Sequence, residues 1–221
     1  MNYESLVDSE KKLRKIFHGY YELAINIHKE LLHAINYLVQ DKQKEFNLSY
    51  ARIVELEKRS NTLEADILSE TVWIIQKDQP QANHLRYLIT TITSSSDLER
   101  ICDYAINVIN LIKRSEPDKQ HLKMLFEIER LALSYFIEIL QILKDKSAKQ
   151  ANEFAILKQK DFEKQYYLVI KKTLHSIIDD KKFDNFYNII IAFKNIERIL
   201  DHVVNITEKF VYIKNSHFYD N

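Results

Sequence analysis

The chain has 221 residues, enough for one domain or for two that each bury a core. Its 32 basic and 32 acidic side chains cancel, so no cationic excess exists to neutralise a phosphate backbone, and nucleic acid is not an expected partner. One Gly and two Pro are too few for hairpin turns, a phosphate-cradling loop or a dinucleotide fingerprint, which points to an all-α chain. No apolar run is long enough to span a bilayer, and the stretch Met1 to Asp8 lacks the basic and apolar segments of a signal peptide. The single Cys102 forbids an internal disulfide and agrees with a reducing compartment, so a cytoplasmic protein is expected.

Apolar residues recur at steps of three and four from Leu13 through Ile16, Tyr20, Ile27, Leu31 and Leu38, predicting one long helix over about 7–40. Gly19 sits inside it, either at a close contact or merely tolerated. After a break at Asp41 and Lys42, Phe46, Ile53, Leu56, Leu63, Ile67 and Ile74 carry a second helix to about Lys77. Pro80 suits the first turn of a third helix, which runs to about Arg114 with Leu88, Ile92, Ser95, Glu99, Cys102, Ile106 and Ile109 at heptad-like spacing. Pro117 marks the next helix start and the boundary between two units, 1–115 and 116–221.

The second unit repeats the plan. Leu122, Leu125, Phe136 and Leu140 carry a helix to about Lys144, a turn follows near Asp145 to Ser147, and a fifth helix spans about 148–178. Asp179 to Lys182 reads as a polar turn, a sixth helix runs over about 183–213, and the tail from Ser216 to Asn221 reads as frayed. The expected fold is two tandem three-helix bundles.

One stretch occurs twice. Asp97-Leu98-Glu99-Arg100-Ile101-Cys102-Asp103-Tyr104-Ala105-Ile106-Asn107 returns as Asn195-Ile196-Glu197-Arg198-Ile199-Leu200-Asp201-His202-Val203-Val204-Asn205, at a constant shift of 98 (197 − 99 and 201 − 103). Glu, Asp and Asn fall at i, i+4 and i+8, one face of a helix. An ionised carboxylate in an apolar seam must be protonated, paired, or bound to a metal. If the helices form antiparallel hairpins, Glu57 and Asn61 lie level with Glu99 and Asp103, because the midpoints of 57 with 99 and of 61 with 99 are 78 and 80, in the predicted turn. Asp161 with Gln165 faces Glu197 and Asp201 in the same way, about midpoints in the Asp179 to Lys182 turn. Convergent carboxylate and amide oxygens suit Mg²⁺, Mn²⁺, Ca²⁺ or iron, and the scarcity of Cys argues against a thiolate zinc site.

Bland readings stand beside these. Arg100 and Arg198 could turn both motifs into interhelical salt-bridge networks. Cys102 reads first as a small buried residue, His202 equally as a solvated surface residue, and Asn107 and Asn205 either as ligands or as bridges between helices. Glu30-Leu31-Leu32-His33 has the Glu-x-x-His spacing of ferritin-like di-iron bundles, which need it twice, and no second copy exists.

The doubled motif resembles the PhoU family of phosphate-transport regulators, as do Gln79-Pro80, Leu85-Arg86 and the spacing of Glu57 and Asn61. The likeness runs over essentially the whole chain, with departures at Cys102, where Gly is usual, at His84, where Asp is usual, and at Gln165, where Asp or Asn is usual. The resemblance implies two three-helix bundles in pseudo-twofold relation, with iron, Mn or Mg ions at Glu57, Asn61, Glu99 and Asp103 and at Asp161, Glu197 and Asp201. It further implies a non-enzymatic negative regulator of phosphate-starvation signalling that contacts the ATPase subunit of a phosphate ABC transporter and, where one exists, a membrane sensor histidine kinase. The chain is expected to form a homodimer. The alternative is a carboxylate-bridged di-iron or di-manganese enzyme or metal store, which would need an open ligand position and a base near the metal.

Overall fold

A computed structural model describes residues 3–145, 147–175 and 183–214. Those residues form six helices and no strand: α1 (Tyr3–Val39), α2 (Gln43–Asp78), α3 (Ala82–Ser115), α4 (Lys119–Asp145), α5 (Ala148–His175) and α6 (Phe183–Lys214). The longest, α1 with 37 residues, extends about 55 Å at 1.5 Å per residue. The predicted turn at Asp179 to Lys182, the predicted end of α5 at Ile178 and the tail from Ser216 lie outside the described residues. No described helix is long and apolar enough to cross a membrane.

The helical pattern is paid out as burial along narrow seams. On α2 the wholly or almost wholly buried positions include Phe46, Ile53, Ser60, Ile67 and Ile74, one every seven residues, so this helix touches its neighbours along a coiled-coil-like line. Each buried Ile in such a seam contributes about 1.5–3 kcal/mol relative to exposure. The break in that apolar series is Ser60, whose Oγ lies 2.8 Å from the buried Tyr20 hydroxyl of α1, so the polar position is satisfied within the core. Gly19, one residue before Tyr20, has open space where a Cβ would stand, and is therefore tolerated and not needed for a close contact.

With one glycine in the chain, the corners are turned by other residues in the left-handed region: Asp41, Gln79 and Glu116 have φ of 58°, 47° and 44°. Gln79 and Glu116 close their helices by donating N–H to the carbonyls of Ile75 (3.1 Å) and Ile112 (3.0 Å). Two predicted helix starts shift for local reasons. Pro80 stands two residues before α3, with Gln81 at its N-cap. Pro117 likewise precedes the cap of α4, which is Asp118: its carboxylate accepts the His121 N–H at 2.9 Å. Burial opposes the charge on Asp118, but that amide and the His121 imidazole prevail and hold the carboxyl below its usual range.

Helices α1, α2 and α3 pack together, as do α4, α5 and α6, and the two groups meet through α3 against α6 and α1 against α4. Helices α3 and α6 cross antiparallel at the repeated motif. Thr93 and Asp97 meet Lys209, while the Tyr104 hydroxyl lies 3.1 Å from His202 Nε2. Tyr104 and His202 are the same position of the two copies, 98 apart, so the axis relating the copies passes beside this contact. A further ion pair, Lys119 with Asp41, ties the start of α4 to the first turn of the other group.

Candidate metal centre

Helices α2 and α3 form the hairpin that the acidic motif requires. Ser96 Oγ donates to Glu64 Oε1 across it at 2.6 Å, and the Glu57 charge is felt at Asp103. Both pairs have their midpoint at 80, so the register places Asn61 opposite Glu99 and Glu57 opposite Asp103. Glu64, which the sequence argument passed over, joins the cluster. It stands seven residues after Glu57, hence on the same helical face, and that spacing was the available signal.

Glu99 is set more deeply than Asp103, its side chain 17% exposed against 26%. Burial, then the charges of Asp103 and Glu64, push the Glu99 carboxyl up from 4.5 to about 7. Asp103 moves the same way, chiefly through burial, with Glu57 and Glu64 adding and Arg100 opposing. Arg100 is the cation among these causes, 3.8 Å from Glu99 and 3.5 Å from Asp103 on the same helix, with its side chain 61% exposed. The arrangement therefore holds more negative charge than positive, and at neutral pH Glu99 is partly protonated.

The side chains do not converge on one point. Among the described residues no three His, Cys, Asp or Glu are gathered closely enough to hold an ion. Each carboxylate has a local engagement: Glu57 accepts the Asn61 amide at 2.7 Å along its own helix, Glu64 takes Ser96, and Arg100 spans Glu99 and Asp103. In this arrangement Asn61 turns its NH₂ group to Glu57, which leaves its amide oxygen for another partner. The donor set consists of hard oxygens short of positive charge, which fits a hard cation. Cys102 lies directly beneath, buried, and its thiol is pushed up to about 12 by burial and the acidic residues, so it stays protonated and offers no thiolate.

The second motif is more fully committed. The Tyr135 hydroxyl donates to Asp161, Gln159 Nε2 donates to Asp201 at 2.7 Å, and Lys194 pairs with Glu197. Gln165 is exposed on α5. Burial and the Glu197 charge raise the Tyr166 phenol to about 12. The acidic residues of the two copies occupy matching helical positions, but in the second copy a tyrosine, an amide and a lysine already answer them.

Other readings are corrected by the coordinates. His202 is no solvated surface residue: Nδ1 lies 2.8 Å from Asp97 Oδ1 and Nε2 meets Tyr104, while Lys209 approaches Asp97 Oδ2 at 2.5 Å. Because Asp97 is an acceptor, the His202 Nδ1 carries a proton, and in the neutral imidazole Nε2 then accepts from the tyrosine. Of the di-iron spacing, His33 is 64% exposed, while the half-buried Glu30 is engaged by Ser49 at 2.6 Å. A buried pair escaped the sequence altogether. His28 Nδ1 of α1 lies 2.7 Å from Glu129 Oε1 of α4, and His28 Nε2 donates to the Ile101 carbonyl at 2.8 Å. Burial opposes a charge on His28, but Glu129 and the Ile101 carbonyl outweigh it and hold the imidazole above its ordinary value. Both residues look like surface polar positions when read alone; only the packing of α1 on α4 joins them.

Comparison with known proteins agrees with this architecture. A family model described as the PhoU domain matches residues 19–112, the span from Gly19 through the first acidic motif. The chain is 34% identical over 225 residues to the uncharacterized protein MG409 of Mycoplasma genitalium, covering 100% of this chain and 99% of that protein. It is 26% identical over 155 residues to a protein of Streptococcus pneumoniae named phosphate-specific transport system accessory protein PhoU homolog, covering 66% of this chain and 69% of that one. The chain belongs to the PhoU family. The crystal structure of PhoU from Pseudomonas aeruginosa shares the fold, with a TM-score of 0.77 at 23% identity over 94% of this chain and 98% of that one. Within this PhoU-family chain the first acidic motif falls inside the matched domain, and the second, 195–206, lies beyond it.

Proposed function

We propose that this PhoU-family protein is a cytoplasmic regulator of phosphate uptake that carries metal ions at its acidic motifs. The first site would use Glu57, Asn61, Glu99 and Asp103, with Glu64 beside them, and the second Asp161, Glu197 and Asp201. Mg²⁺, Mn²⁺ and iron are the ions whose hard-oxygen preference suits these donors. The observation that carries the reading is the excess of carboxylate across the α2–α3 hairpin, where Glu99 has its carboxyl pushed up to about 7 by burial, Asp103 and Glu64. A bound cation would take the place of the proton and relieve that repulsion. The second site asks for more rearrangement, since Tyr135, Gln159 and Lys194 must first release its carboxylates.

The relatives named as phosphate-specific transport accessory proteins support the regulatory role. On this reading the protein docks on the ATPase subunit of a phosphate ABC transporter, contacts a sensor histidine kinase where one exists, works as a homodimer, and represses the starvation response when phosphate is plentiful. Elemental analysis of the purified chain, before and after reconstitution with Mn²⁺, Mg²⁺ and iron, tests the metal. A chain that stays metal-free under all three would end that part of the proposal. Co-purification with the transporter ATPase tests the partner, and its absence at physiological concentrations would end the other.

A further inference from the structure

Where α1, α3, α4 and α6 meet lies a cavity of about 490 Å³, lined by none of the proposed metal-binding residues and within the size range of small-molecule sites. Its walls are apolar: Phe17 and Phe210 stand with ring centroids 5.8 Å apart, facing Ile137 and Leu140. Two phenols reach into it. Tyr21 is 8% exposed and its buried hydroxyl has no hydrogen-bond partner, while the buried Tyr87 hydroxyl lies beside Arg14 and Thr91. Burial, with the Tyr87 and Asp97 charges adding, raises the Tyr21 phenol, so it remains a hydroxyl donor in search of an acceptor.

The mouth is cationic. Arg14, His18 and Lys144 line it with a single carboxylate, Glu22, and the Arg14 guanidinium lies 5.4 Å from the Tyr87 ring centroid. Among the described residues no carboxylate forms an ion pair with Arg14 or Lys144. Burial and these two cations hold His18 below its ordinary value, and the opposing charge of Glu22 does not restore it. An apolar chamber with an unpartnered donor inside and a net positive rim is complementary to one kind of molecule. The geometry points to a ligand site for a small amphipathic anion, its apolar or aromatic body lodged between Phe17, Ile137 and Phe210 and its acidic headgroup held by Arg14, Lys144 and the Tyr21 and Tyr87 hydroxyls. Because the walls come from α1 and α3 on one side and α4 and α6 on the other, such a ligand bridges the two helical groups.

The test is a fluorescence titration of the full chain with 8-anilinonaphthalene-1-sulfonate, an aromatic body with one sulfonate, followed by displacement with decanoate and with decylamine below their micelle concentrations. Saturable binding at one probe per chain is expected, displaced by decanoate and not by decylamine. Arg14→Glu and Lys144→Glu, both at exposed positions, should each weaken binding about tenfold. Arg130→Glu, on the same α4 helix but paired with Glu127 away from the cavity, should leave it unchanged. Thermal melts by circular dichroism establish that each variant is folded. Absence of saturable binding, equal displacement by decylamine, or equal affinity of all three charge variants would overturn the assignment.

Discussion

Replacing Glu99 by Gln removes the charge that the α2–α3 cluster holds with most difficulty while keeping its shape. The wild-type carboxyl lies at about 7 in the folded chain against 4.5 ordinarily, so between these values the folded state retains a proton that the unfolded state has released. Stability therefore falls as pH rises from 4.5 to 7 and stays at the lower level above it. Undiscounted, a gap of that size would correspond to about 3 kcal/mol at 1.36 kcal/mol per pH unit. The cluster is open to water on one side, which screens the repulsion and leaves about 1–1.5 kcal/mol. For a chain of this length that is a rise in Tm of about 3–5 °C. Melts followed by circular dichroism in metal-free buffer should show Glu99→Gln about that much more stable than the wild type at pH 8, and indistinguishable from it near pH 4.5. In the presence of Mn²⁺ the order should reverse, because the wild type gains a ligand set that the variant lacks. An equal Tm difference at both pH values, or a destabilised variant at pH 8 without metal, would refute the electrostatic account.

Removing either member of the buried His28–Glu129 pair, by His28→Leu or Glu129→Leu, leaves its partner desolvated and should cost about 3–5 kcal/mol in denaturant unfolding, whereas the double variant should recover much of the loss. Since the folded His28 value is raised, the pair's contribution is complete below 6.5 and declines as pH rises through that higher value; a single-variant cost below about 1 kcal/mol would contradict this. Glu116→Gly relieves a left-handed residue at an exposed helix end and should stabilise the chain by about 0.5–1 kcal/mol, read as a shift of the denaturation midpoint with unchanged slope. A loss of stability there would mean that the Glu116 side chain contributes more than its backbone strain costs.

The sequence was most legible where periodicity speaks. The heptad of Phe46, Ile53, Ile67 and Ile74 predicts α2 and its buried line, and the hairpin midpoint at 80 is the register that Ser96 and Glu64 adopt. Helix ends were less legible, because Gln79 and Glu116 do work normally done by glycine and because Asp118, not Pro117, caps α4. At the candidate site the spacing found Glu57, Asn61, Glu99 and Asp103, but it could not show that Asn61 and Ser96 would engage Glu57 and Glu64 in place of a common centre. Nor could it show Asp161 satisfied by Tyr135, since that phenol comes from α4, 26 residues away. His28 and Glu129 were out of reach for the same reason: their partnership is a product of how α1 lies on α4, and each residue type is ordinarily a surface one.

The meeting of Tyr104 with His202 has one more consequence. In a symmetric pair of identical subunits the residue on the axis must face its own copy, so one side chain has to serve as both donor and acceptor. With both copies in one chain, that restriction does not apply here. A phenol on one copy can donate to an imidazole nitrogen on the other, and the imidazole is aimed by Asp97, whose counterpart in the second copy is the uncharged Asn195. The two halves are thereby made different at the place where they touch, and a separate molecule offering the wrong half would present like to like: two hydroxyls, or two imidazoles. The contact thus acts as a key that favours pairing the first copy with the second over pairing two like copies.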